Sequence, residues 1–352
     1  MIFLSRPEIE TWRQAGEEAL ANRVGPGRPT YTGRANLEPM FDYFIGTLLA
    51  AHGATAQGKE WLLAGAQHEA GMFSNTFVSA FLERTAGRFI MPAKAFEDPR
   101  PFVHFASVPL MVRARELFLE HASHSLPAFR RPFRILDIGT GNGALLANLL
   151  QRLRAHGKVN DMAEVLLVDA SPAMTDLAAK TVAEALPGAP VRPLTARIEE
   201  AAGRLEGRYD VALMSLAYHH LPWEQKKAHL ERLKAHVDHV LVFELDANND
   251  TPELHSPELA CSVYQSYGRI IDFVFAHDAP VAVAQACVDF FLMTEQISLL
   301  TQPRGRRTEY HMLRGQWHEL FRGTLGTDFA CAAESTCFAD ESLDLFFMHY
   351  GR

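Results

Sequence analysis

The sequence predicts an α/β fold with a seven-stranded, mostly parallel sheet, and three features predict it. The first is a short apolar strand that passes through a glycine turn into a helix, within residues 134–150. The second is a series of four further apolar strands separated by helical periodicity, at 165–169, 191–194, 209–215 and 239–244. The third is a terminal pair of strands, 329–338 and 343–350, whose short connection suits an antiparallel hairpin. Alternation of strands and helices favours a parallel sheet, and the hairpin would close it.

The glycine turn is the most informative stretch. Ile135, Leu136 and Ile138 form the apolar run of a buried parallel strand, and Gly139, Gly141 and Gly143 follow. Glycine adopts backbone conformations that side chains forbid and lets a ligand approach the backbone closely. Strand, turn and helix together predict a ligand-binding loop at the carboxyl end of the sheet.

Composition excludes several classes of protein. The chain has 352 residues, with 34 Lys and Arg against 42 Asp and Glu, for a net charge of -8. The absence of a long basic run argues against an enzyme that depends on phosphate contacts with nucleic acid. We expect a cytoplasmic protein, because no signal peptide or membrane-spanning stretch is evident and the cysteines lack disulfide or metal spacing: Cys261, Cys287, Cys331 and Cys337.

Two helical regions are predicted around the sheet. Residues 1–130 are expected to be mostly helical, with a loop at the glycine- and proline-rich cluster 24–30. Residues 131–352 are expected to form the sheet domain, with a helical insertion at about 251–300 and a helix over 310–325. Aromatic residues of the first region either line a pocket or pack helices together: Tyr31, Tyr43, Trp61, Phe102 and His104.

Three motifs in this order resemble the class I S-adenosylmethionine-dependent methyltransferases of the small-molecule type. They are Asp137-x-Gly-x-Gly-x-Gly143, the acid Asp169 at the end of the second strand, and Ser215-x-x-x-His219-His220-Leu. A dinucleotide-binding loop would instead carry Gly-x-Gly-x-x-Gly, and position 144 is alanine. The resemblance covers about residues 130–250 and implies a Rossmann-like methyltransferase sheet with a closing antiparallel hairpin, and S-adenosyl-L-methionine as cofactor.

The resemblance also implies which residues bind the cofactor. Asp137 would contact the amino-acid end of the cofactor, and Asp169 with Ala170 would contact the ribose. The alternative role of Asp169 is to cap the helix that follows it. The family's acid after the third strand is missing, so the backbone near Ala196 and the side chain of Ile198 are expected at the adenine. The remaining candidates are the turn and the end of the fourth strand: Gly139, Thr140, Gly141, Asn142, Gly143, Ser215 and Leu216.

The candidate catalytic residues are His219, His220 and Asp246. A histidine can accept a proton near neutral pH, although an anchoring role for the loop is an equal alternative. Adjacent side chains of an extended strand end point in opposite directions, so we expect one histidine at most to face the methyl group. Asp246, near Glu244 at the end of the fifth strand, either orients the acceptor or forms a turn.

These inferences predict methyl transfer to a hydroxyl, amine or carbon of a small molecule, in secondary metabolism. The resemblance implies that the helical region serves as a substrate lid or a homodimer surface. We expect no metal, no membrane and no nucleic acid as partners. The alternatives are a methyltransferase acting on protein or RNA and a non-catalytic subunit that binds the cofactor.

Overall fold

The computed structural model describes residues 1–23, 25–26, 31, 33–92 and 97–352; most of the predicted loop 24–30 lies outside this part. The chain divides into two units. Unit 1 comprises Met1–Ala95, Ala247–Tyr310 and Asp340–Leu343, and unit 2 comprises Phe96–Asp246, His311–Ala339 and Asp344–Arg352. The segment expected as an insertion is therefore grouped with the N-terminal helices, and the division falls near residue 95 rather than at 130.

Unit 2 contains the predicted sheet. Its strands are β1 (Phe133–Ile138), β2 (Met162–Asp169), β3 (Val191–Thr195), β4 (Tyr209–Ser215), β5 (Val237–Leu245), β6 (Ala330–Ala339) and β7 (Asp344–Gly351). The spatial order is β3-β2-β1-β4-β5-β7-β6. The pairs from β3 to β5 are parallel, whereas β7 is antiparallel to both β5 and β6. The predicted seven-stranded, mostly parallel sheet with a closing hairpin is confirmed.

The register brings the functional segments to one edge of this sheet. Ile138 at the end of β1 lies opposite Val168 of β2 and Met214 of β4. Ser215 at the end of β4 lies opposite Phe243 of β5. The loops that follow β1, β2, β4 and β5 therefore leave from the same carboxyl edge, where open α/β sheets bind ligands.

Helices cover both faces of this sheet. In unit 2 they are α5 (Arg100–Ser107), α6 (Pro109–Ser125), α7 (Ala144–Ala155), α8 (Pro172–Ala185), α9 (Ile198–Ala201), α10 (Trp223–Leu233) and α14 (Arg314–Leu325). On one face a continuous apolar cluster joins β1, β2, β4, β5 and β7 to α10 and α14, with Trp317 and Phe321 fully buried in it. The helix predicted from residue 310 begins only at Arg314, which leaves His311 on an extended segment.

Unit 1 is helical. Its helices are α1 (Arg6–Asn22), α2 (Glu38–Ala51), α3 (Thr55–Ala66), α4 (Ser74–Arg84), α11 (Pro257–Ala276), α12 (Val281–Cys287) and α13 (Met293–Thr301). Tyr43 and Trp61 are fully buried, and Trp61 lies edge-on to Phe41 at 5.9 Å between ring centroids. These two aromatic residues therefore pack helices together.

The helical run Val281–Thr301, which includes a π-helical turn, is long and apolar enough to cross a membrane by length and composition. The expectation that no such stretch exists is wrong by that criterion. The most apolar 18-residue stretch of this run is 67% buried within the fold, as is common for a helix in a protein core.

Candidate functional site

The glycine turn connects β1 to α7 in a conformation that requires glycine. Gly139 and Gly141 have φ of 70° and 55°, in the left-handed region. A Cβ on Gly139 would lie 2.2 Å from the Cβ of Ala217, in the loop after β4. A Cβ on Gly141 would lie 2.8 Å from Cζ of Phe102, a predicted pocket liner. The turn is therefore enclosed by the β4 loop on one side and an aromatic ring on the other.

Asp169 joins this turn to the end of β2. Its Oδ2 accepts a hydrogen bond from the Gly141 N–H at 3.1 Å, and its Oδ1 accepts one from the Ser171 N–H at 2.9 Å. The side chain that caps α8 is that of Ser171, whose Oγ accepts the Met174 N–H at 3.3 Å. Burial raises the pKa of Asp169, and these two backbone bonds oppose the rise. The carboxylate is thus oriented beside the turn. The alternative role predicted for Asp169, capping the following helix, is filled by Ser171.

Asp137 lies beneath the same turn. It is 3% exposed, and its Oδ2 accepts a hydrogen bond from the Thr140 hydroxyl at 2.7 Å. Burial raises the pKa of Asp137 to about 7. An ammonium group bound beside it would favour the ionised form, because an opposite charge lowers a carboxyl pKa.

The segment after β3 has fewer backbone groups available to bind an adenine ring than the sequence predicted. The Ala196 N–H donates to the carbonyl oxygen of Asp169 at 3.0 Å, so this donor is already used. Ile198 is half-buried against the apolar cluster of the sheet. The expected backbone contact at Ala196 is therefore restricted to its carbonyl oxygen.

The loop after β4 turns sharply. Leu216 has φ of 47°, which is uncommon for a residue other than glycine, and its N–H donates to the carbonyl oxygen of Phe243 at 2.8 Å. A 3-10 turn, Tyr218–His220, follows. A backbone outlier of this kind costs about 1–3 kcal/mol and is retained only where surrounding contacts enforce it.

Glu244 of β5 supplies those contacts. Its carboxylate is fully buried, and Oε1 accepts the N–H groups of Ala217 and Tyr218 at 3.2 and 2.9 Å. Its Oε2 is 2.8 Å from Nδ1 of His219. Because a carboxylate only accepts hydrogen bonds, Nδ1 of His219 carries the proton. One side chain therefore positions both the loop and the imidazole, a partnership that the sequence did not reveal.

The histidine pair differs from the prediction. Both residues lie on the 3-10 turn rather than on an extended strand end, and their ring centroids are 4.4 Å apart. The expectation that they point in opposite directions is wrong for this reason. His219 is 4% exposed and stacks on His311 at 4.0 Å between centroids. His220 is half-buried beside His219.

His219, Glu244 and His311 could supply ligands to one metal ion, because their candidate ligand atoms lie within 4.8 Å of one another. However, Nδ1 of His219 and Oε2 of Glu244 are 2.8 Å apart. Ligand atoms around a tetrahedral zinc ion at about 2.0–2.1 Å would be separated by roughly 3.3 Å. The geometry is therefore that of a hydrogen-bonded histidine–carboxylate pair, with a second imidazole, that of His311, stacked on it.

Asp246 has contacts of a structural kind. Its Oδ1 accepts the Arg314 N–H at 2.9 Å, at the first residue of α14. Its own N–H donates to the carbonyl oxygen of Asp344 at 2.9 Å. A carboxylate at a helix N-terminus stabilises the helix, so these contacts account for an acid at this position.

Part of the chain is similar to a known domain, and its fold is similar to solved structures. Residues 135–239 match the family model of the methyltransferase domain. Among solved structures, SCL7 from Oryza sativa is 15% identical over 98% of this chain and 100% of its own, with a TM-score of 0.54. Magnesium protoporphyrin IX methyltransferase from Synechocystis, solved with bound SAH, is 14% identical over 76% of this chain and 99% of its own, with a TM-score of 0.43. No curated protein matches the chain in sequence.

The fold, the glycine turn and the matched domain define a Rossmann-like methyltransferase sheet. Residues 135–239, which carry the glycine turn, Asp169 and the histidine pair, match a methyltransferase domain, and S-adenosyl-L-methionine is the cofactor that this domain implies. The glycine turn suits this cofactor, because a partly buried carboxylate, Asp169, lies beside backbone that a ligand can approach closely.

Proposed function

We propose that the protein transfers a methyl group to a hydroxyl, amine or carbon of a small molecule, with His219 accepting the proton of the acceptor. The observation that carries the proposal is the buried bond between His219 Nδ1 and Glu244 Oε2, 2.8 Å long. His219 lies in the loop after β4, which packs against Gly139 of the glycine turn, and Glu244 lies on the neighbouring strand β5.

The residues around the turn would hold the cofactor, which supplies an electrophilic methyl group when bound. Asp169 would accept hydrogen bonds from the ribose hydroxyls, since its carboxylate is already oriented by two backbone N–H groups. Asp137 would pair with the ammonium of the amino-acid end. Holding donor and acceptor in line can supply about 7–11 kcal/mol of the barrier.

His219 would act on the acceptor through Nε2. With the Nδ1 proton donated to Glu244, Nε2 is the unprotonated nitrogen of the neutral ring, and the carboxylate stabilises the imidazolium that forms when a proton is taken up. Such general-base catalysis contributes about 10²–10⁴-fold to a rate. The enclosed position of the pair, 4% and 0% exposed, supports a small acceptor in a desolvated site.

The charge balance supports a small molecule over RNA as the acceptor. The net charge of -8 disfavours the phosphate contacts that dominate nucleic-acid affinity. A cytoplasmic protein of secondary metabolism fits this proposal, as does a homodimer.

The test is transfer of a labelled methyl group. Purified protein is incubated with methyl-labelled S-adenosylmethionine and a cell extract separated into small-molecule, protein and RNA fractions. We expect label in the small-molecule fraction, and much less with the His219→Gln variant. Label in the protein or RNA fraction would replace this proposal by the corresponding alternative. Cofactor binding without transfer to any fraction would indicate a non-catalytic subunit.

A further inference from the structure

Three side chains with different ligand atoms meet between α14 and β6, the last strand in the spatial order of the sheet. They are His318 of α14 and Cys331 and Glu334 of β6, and one candidate ligand atom of each lies within 4.8 Å of the other two. His318 and Cys331 are half-buried, whereas Glu334 is exposed. The cluster therefore brings together an imidazole, a thiol and a carboxyl, which are the side-chain groups that bind zinc in proteins.

A bulge in β6 turns two of these side chains to the same face of the sheet. Cys331 lies opposite Tyr350 of β7 and Glu334 lies opposite Met348, so three steps along β6 match two steps along β7. On a regular strand, side chains three positions apart face opposite sides. The extra residue places both Cys331 and Glu334 on the face of Tyr350 and Met348, which is the face that packs against α14. Bulges re-aim side chains in this way and are frequent next to functional sites.

Hydrogen bonds orient the imidazole of this cluster. Nδ1 of His318 lies 2.7 Å from the hydroxyl of Tyr350, and Nε2 lies 2.9 Å from Oε2 of Glu334. Because a carboxylate only accepts hydrogen bonds, Nε2 donates to Glu334, and in the neutral ring Nδ1 accepts from the tyrosine. The hydroxyl can also accept, so Nδ1–H would donate to Tyr350 once Nε2 binds a metal ion. Metal-binding histidines commonly have a partner of this kind at the second ring nitrogen.

Glu334 has a freedom to move that Glu244 lacks. Glu244 is fully buried and accepts N–H groups of the β4 loop, so its 2.8 Å separation from His219 is fixed. The side chain of Glu334 is 38% exposed, and its Oε1 has a longer contact, 3.7 Å, with Nη1 of Arg314. A shift of Oε2 by roughly 0.4 Å would reach the separation of about 3.3 Å between nitrogen and oxygen ligands of tetrahedral zinc.

Two arginines of α14 flank the cluster without opposing a cation strongly. Arg314 is paired with Asp344, with 2.8 Å between Nη2 and Oδ1, so its charge is already balanced. Arg322 is exposed to solvent, which screens its charge. Metal ligands are deprotonated when they bind, so the thiolate and the carboxylate would present two negative charges to a divalent ion.

We propose that His318, Cys331 and Glu334 bind one zinc ion through Nε2, Sγ and Oε2, with solvent in the fourth position. Thiolate and imidazole ligands select zinc over magnesium and calcium, which prefer oxygen ligands. The ion would connect α14 to the strand at the end of the sheet.

The zinc site is separate from the site of methyl transfer. Tyr350, which holds His318, pairs with Val240 near the start of β5, whereas Phe346 pairs with Glu244 near the end of β5. Four residues of β7 separate these two pairs, a distance of about 13 Å. The inference therefore stands independently of the proposed function.

The test is zinc binding by the full chain, reduced and stripped of metal with a chelator. Zn²⁺ is titrated in competition with a chromophoric indicator, and we expect one ion per chain. Cys331→Ala removes a ligand and should weaken binding at least hundredfold. Cys337→Ala, the matched control, removes a buried thiol of the same strand and should bind zinc as the parent does. Tyr350→Phe removes the partner of Nδ1 and should weaken binding by about 10–100-fold.

Cobalt gives a readout of the thiolate itself. With Co²⁺ in place of zinc, we expect a thiolate-to-cobalt charge-transfer band in the parent and in Cys337→Ala, and none in Cys331→Ala. Glu334→Gln should keep this band and bind zinc more weakly, which tests the site even where Cys331→Ala does not fold. A parent that binds no zinc, a cobalt-loaded parent without the band, or several weakly bound ions held alike by all variants would overturn the proposal.

Discussion

Glu244→Gln tests the proposed proton acceptor most directly. Oε1 of Glu244 receives the N–H groups of Ala217 and Tyr218, and a glutamine can retain these bonds only with its amide oxygen. Its NH₂ group must then face Nδ1 of His219, 2.8 Å away in the parent, and it donates where the carboxylate accepted. The proton of the imidazole is thereby forced to Nε2, the atom that should take up the acceptor's proton.

The expected magnitude follows from this exchange of tautomer. Turnover should fall by about 10²–10⁴-fold, the usual contribution of a general base. The free energy of unfolding should fall by about 1.5–3 kcal/mol, since a hydrogen bond to a charged group is lost. Affinity for S-adenosylmethionine should stay near that of the parent, because the bonds recorded for Glu244 go to the β4 loop and not to the glycine turn.

The assay combines kcat with calorimetric binding of the cofactor and urea unfolding. Glu334→Gln is the matched control, because its Oε2 lies 2.9 Å from Nε2 of His318 on α14, in a more exposed histidine–carboxylate pair away from the turn. This control should leave turnover unchanged. A folded Glu244→Gln protein with the parent's kcat would refute the argument that Glu244 sets the protonation of His219. Lost cofactor affinity with an intact kcat would instead assign Glu244 to positioning of the loop.

Four further predictions concern the same unit. Gly141→Val should abolish calorimetric binding of S-adenosylmethionine, since the position has φ of 55° and Phe102 adjoins it; unchanged affinity would remove the turn from the site. Asp169→Ala should weaken that binding more than tenfold, about 1.4 kcal/mol, and should also lower the apo melting temperature, because the N–H groups of Gly141 and Ser171 lose their acceptor. His219→Gln should lower kcat strongly and His220→Gln much less, and the reverse order would move the base to His220. Burial lowers the pKa of His349 from 6.5 to about 4, so the unfolded chain takes up this proton first as the pH falls. The stability that this shift contributes is complete above pH 6.5 and is lost as the pH falls towards 4. In the parent, the free energy of unfolding measured with urea should therefore fall between about pH 7.5 and pH 5. In His349→Gln this fall should be smaller by roughly 2 kcal/mol.

The sequence alone predicted the sheet and the cofactor turn because both depend on local patterns. An apolar run of strand length and a cluster of glycines can each be recognised within a short stretch of sequence. The sequence therefore located β4 from Tyr209 to Ser215 without knowledge of the strands that pair with it. The position of Asp169 beside the turn followed from a general rule, since the carboxyl ends of adjacent parallel strands share an edge.

Tertiary structure alone decided the chemistry at the end of β4. Glu244 follows His219 by 25 residues, and their pairing depends on the register between β4 and β5 together with the 3-10 turn after Leu216. His311 reaches the same imidazole because α14 begins late, at Arg314. Burial and pairing of polar groups are set by segments distant in the chain, and no local pattern encodes which of those segments meet.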